Sequence, residues 1–389
     1  MVPDGWEVKE LQFLCKKIAV GLAISVTPFM RTSGVKLIRN QNIKRNYFNS
    51  DSVAYIDEVF ANSNKSKKVK HGDVVAVRTG SNIGEACVVP KDFDGALTFT
   101  TLIARPNPEL LDSFYLSTHI NSERGISEVN RLCAGGGKPN LNSGELKRYR
   151  LLTPPLPEQK KIAQILSTWD KAITITEQLL ANSQQQKMAL MQQLLTGKKR
   201  LFDKNGVRFS GGWKHGHLSD LGKITKGKAL SSKDLIDGDY PVIAGGKSSP
   251  YNHRDYTHEN VITVSASGAY AGYVAYHPYK LWASDCSVVM GKSNSNIGFI
   301  YQLMSHMQSK IYSLQSGGAQ PHVYPKDLEV LRVSIPPVDE QQKIAAVLSS
   351  ADQEIFALQQ KLAALKQEKK ALMQQLLTGK RRVTVGEAA

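Results

Sequence analysis

The chain has 389 residues, 41% of them hydrophobic, which suffices for more than one domain with its own core and excludes a disordered chain. Its 50 Lys and Arg against 34 Asp and Glu leave a formal charge of +16, which favours a polyanionic partner, nucleic acid first. Cys15, Cys87, Cys133 and Cys286 form no Cys-x-x-Cys pair, no run approaches the ~18 apolar residues of a membrane span, and the N-terminus lacks a signal-peptide pattern, so a zinc site, a disulfide framework and a membrane anchor are unsupported and a cytoplasmic setting is expected.

Residues 1–153 read as a first globular unit opening on Gly5-Trp6. Short β-branched runs at Asp73–Val77 and Ala86–Val89 predict strands between turn clusters, and Leu110–Ile120 predicts a short helix. Residues 154–198 predict one long helix. Pro154, Pro155 and Pro157 mark its start, Glu158 and Gln159 suit its first turn, and Gly197 suits its C-terminal cap. Ile162, Leu166, Trp169, Ile173, Thr176, Leu180, Ser183, Lys187, Leu190 and Leu194 step by four and three, the seam of a coiled coil.

Residues 199–335 hold a basic connector and a second globular unit opening on Gly212-Trp213. Strands are expected at Val261–Val264, Tyr273–Ala275 and Ser287–Met290, with a helix over Ile297–Ser309. Residues 336–380 repeat the long helix with a seam of Ile344, Leu348, Ala351, Ile355, Leu358, Leu362, Leu365, Lys369, Leu372 and Leu376, and residues 381–389 form a basic tail. Each helix should be about 55–60 Å long.

The two helices are copies. Pro154 and Pro336, Glu158 and Glu340, Asp170 and Asp352, and Gly197 and Gly379 all lie 182 residues apart, so no residue has been gained or lost between them. An inserted residue would rotate everything beyond it by about 100° and misplace the buried face. Lys187 and Lys369 occupy the same seam position; such a cation ordinarily extends its head to the seam edge, the alternative being that it sets the register. The globular units are related but diverged. Thr79–Gly84 aligns with Ser267–Gly272 at an offset of 188, Gly135–Asn140 with Gly317–His322 at 182, and Trp6 with Trp213 at 207. A constant frame therefore carries two variable heads.

The blocks Pro-Pro-Leu-Pro-Glu-Gln-Lys-Lys-Ile-Ala-Gln-Ile-Leu (154–166) and Pro-Pro-Val-Asp-Glu-Gln-Gln-Lys-Ile-Ala-Ala-Val-Leu (336–348), each leading to Leu-Leu-Thr-Gly-Lys, resemble the two conserved regions of the DNA specificity subunit of type I restriction-modification systems. The resemblance covers the whole chain, which begins almost at the first recognition domain. It implies a mixed α/β fold with two small target-recognition domains separated by two long antiparallel coiled-coil helices, a pseudo-two-fold internal repeat. It also implies that each domain reads one half of a split target in double-stranded DNA. Two modification subunits, with restriction subunits in the full complex, would be partners supplying S-adenosylmethionine, ATP and magnesium, and none of these cofactors would be bound by this chain. Independently, helices of this length exceed the roughly 34–36 Å of one duplex turn, so a rigid pair could act as a ruler between half-sites. Close alternatives are the specificity subunit of a methylation-only system or of a related two-part methyltransferase-nuclease. The alternative from another class is a coiled-coil scaffold or inhibitor that reads no DNA.

Base readout needs Arg, Lys, Asn, Gln and similar side chains on loops that can enter a groove. In the first head these are Arg39, Asn40, Asn42, Lys44, Arg78, Ser81, Asn82, Lys138 and Asn140; in the second, Lys247, Ser248, Ser249, Tyr270, Gln320 and His322. Plain turn-forming or solvation is the competing reading for each. No catalytic constellation accompanies them. Gly222–Ala229 nearly matches a phosphate loop, but Ala229 stands where a magnesium-binding Ser or Thr belongs, and the Asn/Asp-Pro-Pro-aromatic motif of amino-methyltransferases is absent. Pro3-Asp4 with Glu7-Val8-Lys9 is too tightly spaced for a nuclease metal site, and His215 and His217 read as exposed strand residues. The chain is expected to be a non-catalytic subunit.

Overall fold

The computed structural model describes residues 2–133, 140–247, 249, 251–317 and 320–385. The chain folds as two compact units, one made of Met1–Glu177 with Lys361–Ala389, the other of Gln178–Gln360. The long helices run Leu156–Leu194 and Val338–Leu376, so each contributes to both units.

In the first unit a four-stranded antiparallel sheet has the order Cys15–Val20, Thr101–Pro106, Val74–Val77, Ala86–Val88. All four residues of Val74–Val77 are buried, as a strand covered on both faces requires. A second four-stranded sheet combines Leu97–Thr98, Val35–Ile38, Ala54–Ile56 and Met30–Arg31, and a small ribbon pairs Ile43–Lys44 with Tyr47–Phe48. The expected helix is present as Ser113–Ile120, capped by the Asp112 side chain. Its Leu116 and Ile120 join Trp6, Ile162, Leu166, Leu376 and Leu377 in one core, so the head is built onto both helices.

The second unit repeats this plan. Its six-stranded sheet runs Gly222–Lys226, Cys286–Gly291, His258–Ser265, Val274–Ala283, Tyr240–Ile243, Asn252–His253. The first four have the order and antiparallel sense of the first unit's principal sheet. The helical stretch breaks into Ile297–His306 and Gln308–Tyr312. Gly222–Lys226 is a strand paired with Cys286–Gly291, so the first five residues of the stretch that resembled a phosphate loop are committed to the sheet. His215 and His217 are exposed on a ribbon of Lys214–His217 with Arg332–Ile335.

The repeated sequence signature has a mechanical meaning. Pro155 and Pro337 open each helix, their carbonyls accepting the Gln159 and Gln341 amides at 3.0 Å. The Gln159 side chain donates to Pro154 O at 2.9 Å and accepts the Asp112 amide at 2.9 Å. Gln341 does the same with Pro336 O and the Asn296 amide, both at 2.9 Å. Each glutamine thus ties its long helix to the N-cap of the head's helix. Glu158 is buried and accepts the Trp6 indole N–H at 3.0 Å and two donors of Arg382 at 2.7 and 2.9 Å. Glu340 likewise accepts Trp213 at 3.0 Å and Arg200 at 2.6 and 2.7 Å. The arginines also lie over the indoles, 5.7 Å for Arg382 on Trp6 and 5.6 Å for Arg200 on Trp213. Gly197 and Gly379 adopt φ of 71° and 69°, the left-handed turn that ends each helix just ahead of its arginine.

Every seam position is buried or half-buried, whereas Ile175, Leu179, Met188 and Phe356 are exposed. Helix directions are opposed within each unit. In the first, Asp170 meets Lys369 and Glu177 meets Lys366; in the second, Ser183 meets Glu354 and Lys187 meets Asp352. Lys187 and Lys369 are half-buried and ion-paired. Their side chains are 15% and 13% exposed, and each meets a partly exposed aspartate of the opposite helix. The cause is the aspartate one turn below Leu166 and Leu348 in each copy, placed by antiparallel pairing opposite the other copy's lysine.

Candidate nucleic-acid interface

In the first head the strands Val74–Val77 and Ala86–Val88 form a hairpin whose loop, 78–85, projects Thr79, Gly80, Ser81 and Asn82 into solvent. Gly84 (φ 83°) seats the loop on the helix Glu123–Cys133, where an added Cβ would meet Val129 Cγ1 at 2.9 Å. A second segment locks the tip. Thr79 is bridged to Asn140, the Leu141 amide donates to Arg78 O at 3.0 Å, and Arg78 Nε donates to Asn140 Oδ1 at 3.1 Å. The Ser81 hydroxyl lies 3.3 Å from Asn82 Oδ1. Arg78, Ser81, Asn82 and Asn140 are therefore brought together. Lys44 is exposed on the Ile43–Lys44 ribbon, beside the hairpin: Asn46 N–H donates to Ala86 O at 3.0 Å and Arg45 pairs with Glu85 at 3.3 Å.

The second head builds the same tip from different side chains. The loop between His258–Ser265 and Val274–Ala283 is bridged through Ser267 to His322, and the Val323 amide donates to Ala266 O at 3.0 Å. Ala266 and His322 thus occupy the backbone positions of Arg78 and Asn140. Lys247 lies 5.3 Å from the ring centres of both Tyr270 and Tyr273. His322 stacks on Tyr324 (6.0 Å, 15°), and Gln320 is exposed beside it. Half-buried Lys280 lies over exposed Tyr256 at 4.6 Å, which extends the alternation of cations with open aromatic rings suited to stacking on bases and pairing with phosphates, whereas exposed Lys228 covers the buried ring of Trp282 at 5.1 Å. Sequence reading misses these pairs, because Tyr256 and Lys280 meet only through strand pairing.

Several expected contacts do other work. Asn42 is buried, its Nδ2 donating to Asn49 O at 2.9 Å and Ser52 O at 3.1 Å while its Oδ1 accepts the Arg39 amide at 2.9 Å, so it shapes a turn and has nothing left for a base. Asn40 and Arg39 are half-buried in the same turn, Arg39 Nη2 lying 3.4 Å from Ser52 Oγ. Ser249 Oγ closes a turn on Val242 O and Tyr251 O at 2.6 and 2.8 Å. Lys138 and Ser248 lie outside the described residues.

Among the described residues no group of three His, Cys, Asp or Glu could hold a metal, and no helix is long and apolar enough to cross a membrane. Burial pushes the thiols of Cys15, Cys87 and Cys286 up to about 12, which keeps them protonated at neutral pH and poor as nucleophiles. Charged and aromatic groups on exposed loops are what these heads present.

The family model described as the type I restriction modification DNA specificity domain matches residues 3–182 and 210–367, one match over each head and most of its following helix. The chain belongs to this family. Within the specificity family it is 24% identical to the putative type I restriction enzyme MjaX specificity subunit of Methanocaldococcus jannaschii, across 98% of this chain and 95% of that one. It is 23% identical to the MjaVIII specificity subunit of the same organism, across 82% of each. The fold is shared with the S subunit of a type I restriction-modification system from M. genitalium, at a TM-score of 0.70 and 16% identity over 96% of both chains.

Proposed function

We propose that this chain is the DNA-reading specificity subunit of a type I restriction-modification complex, each head reading one half of a split duplex target and the long helices setting the gap. The observation that carries this reading is the duplicated tip, one backbone frame presenting Arg78 and Asn140 in the first head and Ala266 and His322 in the second. A common frame with unlike side chains is what two readers of unlike half-sites require. The chain itself acts without catalysis, in the cytoplasm. Two modification subunits dock on the exposed helix faces, where Met188 and Phe356 leave 64% and 61% of their surface free, and supply adenine methylation with S-adenosylmethionine. Restriction subunits with ATP and magnesium complete the assembly.

The test is selection of randomised duplexes by the chain assembled with its modification subunits. A split motif with a constant gap is expected. Four residues inserted into each helix, after Glu177 and after Gln360, add about 6 Å, near two base-pair rises, and should widen the gap while leaving both half-sites unchanged. A contiguous motif, or half-sites that change with helix length, would refute the reading.

A further inference from the structure

We infer that Arg78 reads a guanine in the half-site of the first head and that Asn140 is the residue that positions it, an inference that rests on the base-reading role just proposed for the heads. Arg78 is the last residue before the exposed tip, and its backbone is fixed by the Leu141 amide and by the bridge between Thr79 and Asn140. Its Nε is held at 3.1 Å by Asn140 Oδ1. A guanidinium anchored through Nε keeps its two terminal nitrogens as coplanar donors. In the major groove guanine offers the matching pair of acceptors, O6 and N7. Arg45, Arg105 and Arg131 of the same unit each spend their guanidinium on a carboxylate, whereas Arg78 makes no ion pair among the described residues.

The second head supplies the internal comparison. On the same backbone frame it carries Ala266 and His322, so the fork and its buttress are both gone while the bridging hydrogen bonds remain. The backbone bridge of the tip thus forms in the second head without an arginine, so that bridge does not depend on the Arg78 side chain. The guanine read by this fork therefore belongs to the half-site of the first head.

The experiment is the same duplex selection with the assembled complex, comparing wild type, R78K and N140A. Wild type should prefer guanine at one position of one half-site by about 10- to 100-fold. R78K keeps the positive charge and loses the fork, so that preference should collapse to within a few-fold while the second half-site stays intact. N140A should weaken it at the same position. An unchanged guanine preference in R78K would overturn the assignment, as would loss of both half-sites, which would make Arg78 structural. N140A that behaves as wild type would overturn the positioning role. Absence of any motif in wild type would instead defeat the base-reading premise, an outcome separable from the others.

Discussion

Glu158 and Glu340 each bind an arginine and an indole, yet their surroundings differ. The Arg200 side chain is 20% exposed and that of Arg382 46% exposed. Removing one partner of a buried ion pair leaves the other charge uncompensated, and the cost rises with burial. E340Q should therefore cost ~3 kcal/mol and E158Q ~2 kcal/mol, measured by hydrogen exchange in the respective unit. Equal costs would mean the exposed arginine is held as firmly as the buried one. These clasps are poorly legible from sequence: Glu340 reads only as a favourable first-turn residue, and Arg200 and Trp213 lie 140 and 127 residues away, beyond any periodic signal. His119 is equally hidden. It is fully buried with Nδ1 2.8 Å from the Tyr149 hydroxyl, and burial pushes its pKa down to about 3 from the ordinary 6.5. Between those values the unfolded chain binds the extra proton, so the stability associated with neutral His119 is full above about pH 6.5 and drains as pH falls toward 3, by up to ~1.4 kcal/mol per unit. Exchange of the Ser113–Ile120 amides at pH 5 and 7 reads this, and H119Q should flatten the slope.

The long helices are the most legible elements, since an unbroken seam and a fixed offset of 182 between the copies dictate their existence, length and pairing partner. What periodicity cannot show is which polar groups meet across the seam, because that depends on the direction of pairing. Antiparallel pairing sets Asp170 against Lys369 and Asp352 against Lys187, with Gln302 donating to the second oxygen of Asp352 at 2.7 Å. Burial pushes the Asp170 carboxyl up and Lys369 offsets this only in part, so a register role rather than a stabilising one is the expectation to test. D170K or K369D alone should each cost ~2 kcal/mol by bringing like charges together, and the doubly swapped variant should recover ~1 kcal/mol or more in a double-mutant cycle. No recovery would remove the register role. The strands of the heads are legible in outline only. Val74–Val77 and Cys286–Gly291 announce themselves by β-branched runs, whereas the ribbon at Ile43–Lys44 is too short to carry a pattern.

For the molecule as a whole, the widening of the gap depends on inserting residues in both helices. Four residues turn a helix by about 400°, so its faces nearly keep their directions, but an insert in one helix alone would slide one set of lysine–aspartate partners past each other. The duplicated plan and the DNA-reading class are legible in the chain; the reading tips are legible only as a list of polar loops. Their assembly needs residue 78 beside residue 140, a juxtaposition made by strand order and not by spacing.

The two compact units are drawn from the chain unequally. Gln178–Gln360 is continuous, whereas the first unit takes its last helical half and Arg382 from residues beyond Gln360. During synthesis from the N-terminus the second unit has all its residues first. The earlier-made head must wait, its core lacking Leu376 and Leu377 and its Glu158 lacking Arg382, until the final turns of the second helix emerge. The head translated first is thus the one completed last, and a ribosome that stalls just past Lys361 leaves a chain that holds all of its second head while its first lacks part of its core.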